Sequence, residues 1–337
     1  MKKALITGVT GQDGAYLANL LLKKGYIVYG TRRRSSTSNT WRLSHLGILD
    51  NPKFKIIVSD VTDLGDNIRL LESCEPDEVY NLAAQSFVET SFQQPHVTAE
   101  ITALGSLTIL EAIRIVNKRI RFYQASSSEM FGKVRETPQS ETTDFYPRSP
   151  YAVAKLFAHW STINYRESFD IFATCGILFN HESPLRGDEF VTKKITKGLS
   201  RIKMGKQEVL YLGNLNAKRD WGHAKDYVEA MWKMLQAQKP DDYVISTGRT
   251  ESIKRFVDLT CEKLEFKTKW TGEGLNTQCI NLDNGKSILQ IKKEFFRPSE
   301  VDLLIGDSSK ARKNLDWNPK TSLEELCEEM INFDLKN

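Results

Sequence analysis

The chain has 337 residues, 40% hydrophobic and 27% charged, the balance of a globular protein of one large or two average domains. That composition excludes a disordered, collagen-like or coiled-coil chain, and the length allows a core that needs no metal or disulfide staple. Lys and Arg number 47 against 43 Asp and Glu, a net charge of +4 with no basic block, which argues against nucleic acid as a partner and leaves room for a small basic site for a phosphate-bearing ligand.

Five cysteines, Cys74, Cys175, Cys261, Cys279 and Cys327, stand far apart with no CxxC pair. The expectation is neither a zinc site nor a disulfide framework, no metal, and a reducing, cytoplasmic setting. The start MKKALITGVTGQDG breaks into glycines too soon for a signal peptide, and no apolar run approaches the roughly 18 residues of a membrane span, so no membrane association is expected.

In chain order, Lys3–Thr7 reads as a buried strand, Ala15–Lys24 as a helix stopped by Gly25, and Tyr26–Tyr29 as the next strand. Lys55–Val58, Glu78–Leu82, Arg121–Ala125 and Ile171–Ile177 continue the strands. Helices are expected at Leu64–Ser73, 97–117 and 151–168. This alternation predicts an α/β fold, a Rossmann-type doubly wound parallel sheet. Past residue 178 the rhythm changes. A polar loop at Asn180–Gly187 leads to helices at Phe190–Met204 and His223–Gln236, a strand at Val209–Leu212, an irregular stretch at 265–300 and closing helices at 307–314 and 321–335. The expected division is a dinucleotide-binding domain over 1–178, to which later segments return, and a smaller substrate-binding region over 179–337.

Directly after the first strand comes Gly8-Val9-Thr10-Gly11-Gln12-Asp13-Gly14. Glycines between a strand and a helix permit a tight turn and let a pyrophosphate approach the free N–H groups of the helix start. The second strand ends without the carboxylate that NAD sites use for the ribose 2′-hydroxyl. Arg32-Arg33-Arg34-Ser35-Ser36 follows instead, and guanidinium forks suit a 2′-phosphate, so NADP is the expected cofactor. Asp60 ends the third strand, either beside the adenine or as a local cap.

Tyr151 and Lys155 stand i, i+4 at a helix start, on one face. A nearby ammonium favours tyrosinate, so the phenol can act as a base. The fifth strand runs into Ser126-Ser127-Ser128-Glu129. Strand ends of open α/β sheets face ligands, and no turn requires the glutamate inside that run.

Taken together, Gly8–Gly14, Asn81–Ser86, Ser126–Glu129 and Tyr151–Lys155 resemble the extended short-chain dehydrogenase/reductase superfamily. Its sugar-nucleotide epimerases carry a small residue where Glu129 stands, whereas its 4,6-dehydratases carry Glu. Phe145–Tyr151, Phe179–Pro184, Gly213–Gly222 and Arg297–Val301 are similar to the GDP-mannose 4,6-dehydratases over nearly the whole chain, with Ser127 in place of the usual Thr. The stretch 267–292 has no such match.

The resemblance implies redox-neutral removal of water from a GDP-sugar, with Ser127, Glu129, Tyr151 and Lys155 catalytic. It implies cofactor contacts from Gly8, Thr10, Gly11, Gln12, Asp13, Gly14, Arg33, Ser36, Asp60, Val61, Leu82, Ala83, Ala84, Gln85, Ser86, Tyr151, Lys155, His181 and Arg186. Substrate contacts are implied for Ser86, Ser127, Glu129, Asn180, Lys194, Arg219, Arg297 and Glu300. It further implies a homo-oligomer, a tetramer built through the 32–42 loop with a helix-paired dimer as the fallback. Another GDP-manno-sugar such as a heptose would need the same catalytic groups. An epimerase or reductase is opposed by Glu129, and a non-catalytic NADP-binding protein by the retained Tyr and Lys.

Overall fold

The computed structural model describes residues 1–296 and 303–337. Six strands, β1 (Lys3–Thr7), β2 (Ile27–Arg32), β3 (Phe54–Val58), β4 (Glu78–Asn81), β5 (Arg121–Ser127) and β6 (Ala173–Leu178), lie in the order 3-2-1-4-5-6. Tyr243–Ile245 adds a seventh strand at the β6 edge, and every pairing is parallel. Helices cover both faces, so β4 and β6 are buried along their whole length, as a parallel sheet requires. Ala4 and Ile6 face one core with Leu17, Met231 and Trp317. Leu5 faces the other with Leu70, Ile109 and Phe122. The strand order reverses between β1 and β4, and the crevice outside that switch point is where open α/β sheets bind ligands.

The second region has its own core, formed by helices Val191–Lys203, Ile253–Lys263 and Leu323–Lys336 against a small sheet. It corrects three expectations. The stretch read as irregular forms strands Thr268–Thr271, Gln278–Asn281 and Ser287–Ile291, the last pairing with Leu210–Leu212. Helix Ile253–Lys263 was not expected at all. The polar loop after β6 also contains a short strand, Asn180–Glu182, parallel to Trp221–His223. The helix read over 97–117 is a short helix at Pro95–Thr98, a π-turn at Ala99–Leu104 and a helix from Gly105 to Val116. A Cβ on Gly105 would sit 2.8 Å from Val61, so this helix starts close against the segment that follows β3. Helices Ala224–Gln236 and Ser309–Leu315 and the edge strand pack on the first core. Among the described residues no helix is long and apolar enough to cross a membrane.

Candidate active site

The glycine loop turns on Gly8, whose φ of +68° favours glycine. A Cβ on Gly14 would lie 2.6 Å from both the Gly8 carbonyl and Val9 Cα. Only a bare α-carbon therefore lets helix Gln12–Lys23 start so close to β1, with its free N–H groups at the switch point. Thr7 fixes the facing strand end. Its hydroxyl donates to Asn81 Oδ1 at 2.7 Å and accepts from the Leu82 and Ala83 N–H groups at 3.0 Å, while Asn81 Nδ2 donates to Ser106 and Gln124. Leu82, Ala84 and Ser86 then line the cleft.

The residues expected to handle protons line the same cleft. Ser149 caps helix Pro150–Phe169 by accepting from the Ala152 N–H at 3.1 Å, with Pro150 at the first position, a favoured helix start. Tyr151 and Lys155 follow on its buried face, 9% and 4% exposed. Ser127 ends β5, and its Oγ accepts from the Glu129 N–H at 3.2 Å, holding the 3₁₀ turn Ser128–Met130. All four side chains line one cleft with Asn180, His181, Arg186, Lys194 and Arg219.

Electrostatics at this site depart from the sequence expectation. Burial, with the Glu129 carboxylate adding to it, pushes the Tyr151 phenol up to about 12, against a Ser127 hydrogen bond and the Arg186 charge that pull it down. The Lys155 ammonium donates to the Ala125 carbonyl at 2.7 Å and lies 5.9 Å from the Tyr151 ring centre. Burial brings Lys155 itself down to about 8.

The expected dinucleotide contacts divide by environment. Gly11 is open at the helix start, with Thr10 beside it half-buried. Gln12 and Asp13 direct their side chains to the second region: Gln12 Nε2 donates to the His181 carbonyl, and Asp13 Oδ2 lies 2.7 Å from His181 Nε2. Arg33 and Ser36 are exposed. Asp60 accepts from the Thr62 N–H and hydroxyl, a local turn. Val61 is buried, and Ala83 and Gln85 are half-buried.

Among the described residues, several buried polar atoms have no partner: Arg32 Nε and Ser59 Oγ at the ends of β2 and β3, Gln85 Oε1 after β4, and Asn180 Oδ1. An orphaned buried donor or acceptor costs about 1–3 kcal/mol. A polar ligand lying along the strand ends would relieve that cost, so the residues present fit an extended dinucleotide there.

Of the lysines in the basic helix, Lys193 is buried against Asp334, Lys197 pairs with Asp188, and Lys194 faces the cleft with its Nζ 3.6 Å from the Phe295 ring centre. Arg219 is buried at 6% exposure and lines the same wall. Arg297 and Glu300 lie outside the described residues. Sequence reading missed Arg42, which donates to the carbonyls of Leu185 (2.7 Å) and Thr10 (3.2 Å) and so ties the glycine loop to the cleft wall. It also missed Glu182, whose buried carboxylate holds Arg186 at 2.9 Å and accepts from Thr192. Arg42 closes the Arg-rich loop, and that position was its one signal.

Residues 5–330 match the family described as GDP-mannose 4,6 dehydratase. The chain is 52% identical to a GDP-mannose 4,6-dehydratase of Sinorhizobium fredii (strain HH103), covering 99% of this chain and 97% of that protein. It is 50% identical to a GDP-mannose 4,6 dehydratase of Drosophila melanogaster, covering 99% and 86%. In fold it is similar to dTDP-glucose 4,6-dehydratase from Streptomyces venezuelae, solved with NAD bound (TM-score 0.85, 18% identity, 99% and 97% covered). It is also similar to UDP-glucose 4-epimerase from Thermotoga maritima (TM-score 0.82, 24% identity, 99% of each chain).

Proposed function

Because the chain belongs to the GDP-mannose 4,6-dehydratase family, we propose that it converts GDP-mannose to GDP-4-keto-6-deoxymannose with loss of water. The observation that carries this reading is the convergence of Ser127, Glu129, Tyr151 and Lys155 on one cleft. Glu129 is the discriminating member, because epimerisation or simple reduction needs no second acid–base group at that place.

A bound nicotinamide dinucleotide would supply the hydride acceptor for the first half of the reaction and the donor for the second. Tyr151 holds and moves the proton on the sugar C4 oxygen. Ser127, lining the same cleft as Tyr151, orients that oxygen. Once C4 is a ketone the C5 proton is acidic, and Glu129 removes it and protonates the departing C6 oxygen, so that water leaves. Reprotonation at C5 completes the balance. Lys155 keeps a positive charge near the phenol, while Asn180, Lys194 and Arg219 offer polar and cationic groups for the diphosphate and ribose of the substrate. Mass spectrometry of the product from GDP-mannose tests the reading. A product lighter by one water is expected, and an unchanged mass refutes it.

The cofactor is proposed to be NADP. Arg32 reaches the strand end with an unpartnered Nε, and exposed Arg33 and Ser36 follow it. Calorimetry should give tighter binding of NADP than of NAD, and Arg33→Ala should narrow the difference, since one charge-assisted contact is worth about 1.5–3 kcal/mol. Equal affinity for the two dinucleotides refutes the choice. The five unpaired, buried cysteines support a cytoplasmic setting. The exposed apolar face of helix Pro150–Phe169 supports a homo-oligomer, with the tetramer first.

A further inference from the structure

The glycine loop and the wall of the cleft are joined by side chains that no phosphate contact explains. Gln12 Nε2 donates to the His181 carbonyl at 3.1 Å, and Ser183 Oγ donates to Gln12 Oε1 at 2.6 Å. Arg42 bonds the carbonyls of Thr10 and Leu185. At the centre of this seam His181 is held through both ring nitrogens. Nδ1 lies 2.7 Å from the Phe179 carbonyl oxygen, and Nε2 lies 2.7 Å from Asp13 Oδ2. A carbonyl only accepts, so Nδ1 carries a hydrogen. A carboxylate also accepts, so the remaining proton is shared with Nε2 and the ring and carboxylate form an ion pair. Tyr227 stacks on the ring at 4.6 Å between centres and 23° between planes.

On the dehydratase reading above, we infer that His181 is a positioning residue for the reaction: paired with Asp13, it clamps the strand Asn180–Glu182 to the glycine loop and cancels a carboxylate that shares the cleft with Tyr151 and Lys155. Among the described residues, the charged and titratable groups around the imidazole are few. Asp13 faces it from helix Gln12–Lys23, Arg186 from its own segment, and Tyr227 from helix Ala224–Gln236; the strand Trp221–His223 presents Gly222 at the paired position. Burial works against the imidazolium, but Asp13 outweighs it and the ring is held above the usual histidine range. Asp13 lies below the usual carboxylate range, because His181 and Arg186 outweigh its own burial. The Asp13 charge raises both Tyr151 and Lys155. Tyr151 must lose its proton to act as a base. Removing the histidine would leave that charge bare and make the loss harder.

The sign of the charge separates this role from a merely structural one. In the holoenzyme, His181→Gln should move the acid limb of kcat for water loss from GDP-mannose to higher pH. The shift should be about one unit, the order expected of one uncompensated charge several ångströms away in a protein interior. Asp13→Asn should not move the limb upward, and Asp13→Asn/His181→Gln should return it toward wild type even though the clamp is gone. Equal losses of rate in all three variants with an unmoved limb overturn the inference. Nitrogen-15 resonances of the full chain without substrate decide the pairing directly. His181 should carry hydrogens on both nitrogens at neutral pH, and on one in Asp13→Asn; a singly protonated His181 in the wild type overturns the inference, even where the glutamine variant does not fold. A wild-type chain that leaves the mass of GDP-mannose unchanged refutes the dehydratase reading, and the resonances still decide the pairing.

Discussion

Glu129 occupies a single 3₁₀ turn whose shape is set by its own backbone bond to Ser127, so Glu129→Gln should leave the turn intact while removing the base. The variant should still oxidise C4 in a single turnover, seen as a lasting absorbance of reduced nicotinamide. Water loss should slow by about 10²–10⁴, the usual share of a positioned acid–base group. Dehydration at the wild-type rate would exclude Glu129 as the base. This residue was legible in the sequence because no turn chemistry required an acid there. The lysines of helix Val191–Lys203 were not. Lys193, Lys194 and Lys197 share one composition, and only the packing of Asp334 and Asp188 beside two of them shows which is left to face the cleft. His181 and Asp13 were legible as site residues, but a bond between positions so far apart in the chain leaves no local pattern. The activating effect expected of Lys155 followed from its i, i+4 spacing, which says nothing about the Ala125 carbonyl that holds its ammonium.

At the scale of elements, the end of helix Pro150–Phe169 is anchored by Asp242, just ahead of the edge strand. Arg166 grips its carboxylate through two nitrogens at 2.9 and 2.8 Å, and the Cys175 N–H donates to the same group at 2.9 Å. Burial opposes the charge, but Arg166 outweighs it and holds the Asp242 carboxyl below its usual range. A carboxyl depressed in the folded state stabilises above its unfolded value of about 3.9, and that stability is lost as the pH falls through the folded value. Asp242→Ala should therefore cost about 3–5 kcal/mol in urea unfolding at neutral pH, as for other buried pairs broken on one side. The gap to wild type should shrink in acid. A loss below 1 kcal/mol would show the anchor to be dispensable. The main sheet was legible because its inner strands β1, β5 and β6 are almost wholly buried and read as short, mostly apolar runs between helices. The small sheet was not: its strands are short and partly exposed, and Ser287–Ile291 finds its partner in Leu210–Leu212, beyond two whole intervening helices. Such non-local pairing has no signature in periodicity.

For the whole molecule, the outer face of helix Pro150–Phe169 carries Val153, Phe157 and Trp160 at 56%, 42% and 55% exposure, with Leu104 of the adjoining π-turn at 49%. Spacings of four and three place the first three on one stripe, an apolar surface of the kind that marks an interface. A two-fold pairing through it is self-complementary and closes. Light scattering of the wild type should give more than one chain, and Trp160→Glu should lower the mass. A single-chain wild type refutes assembly, and a two-chain mass with NADP bound refutes the tetramer. The edge strand Tyr243–Ile245 has a different consequence. The chain leaves the parallel sheet at Phe179 and rejoins it beside the point of departure, where the Phe179 N–H donates to the Ile245 carbonyl at 3.0 Å. It then leaves again, and helix Ser309–Leu315 returns once more. The two cores are thus laced by repeated crossings rather than joined by one linker, so neither can melt while the other keeps all its strands. Heating should disassemble them together, in one cooperative heat-capacity peak rather than two.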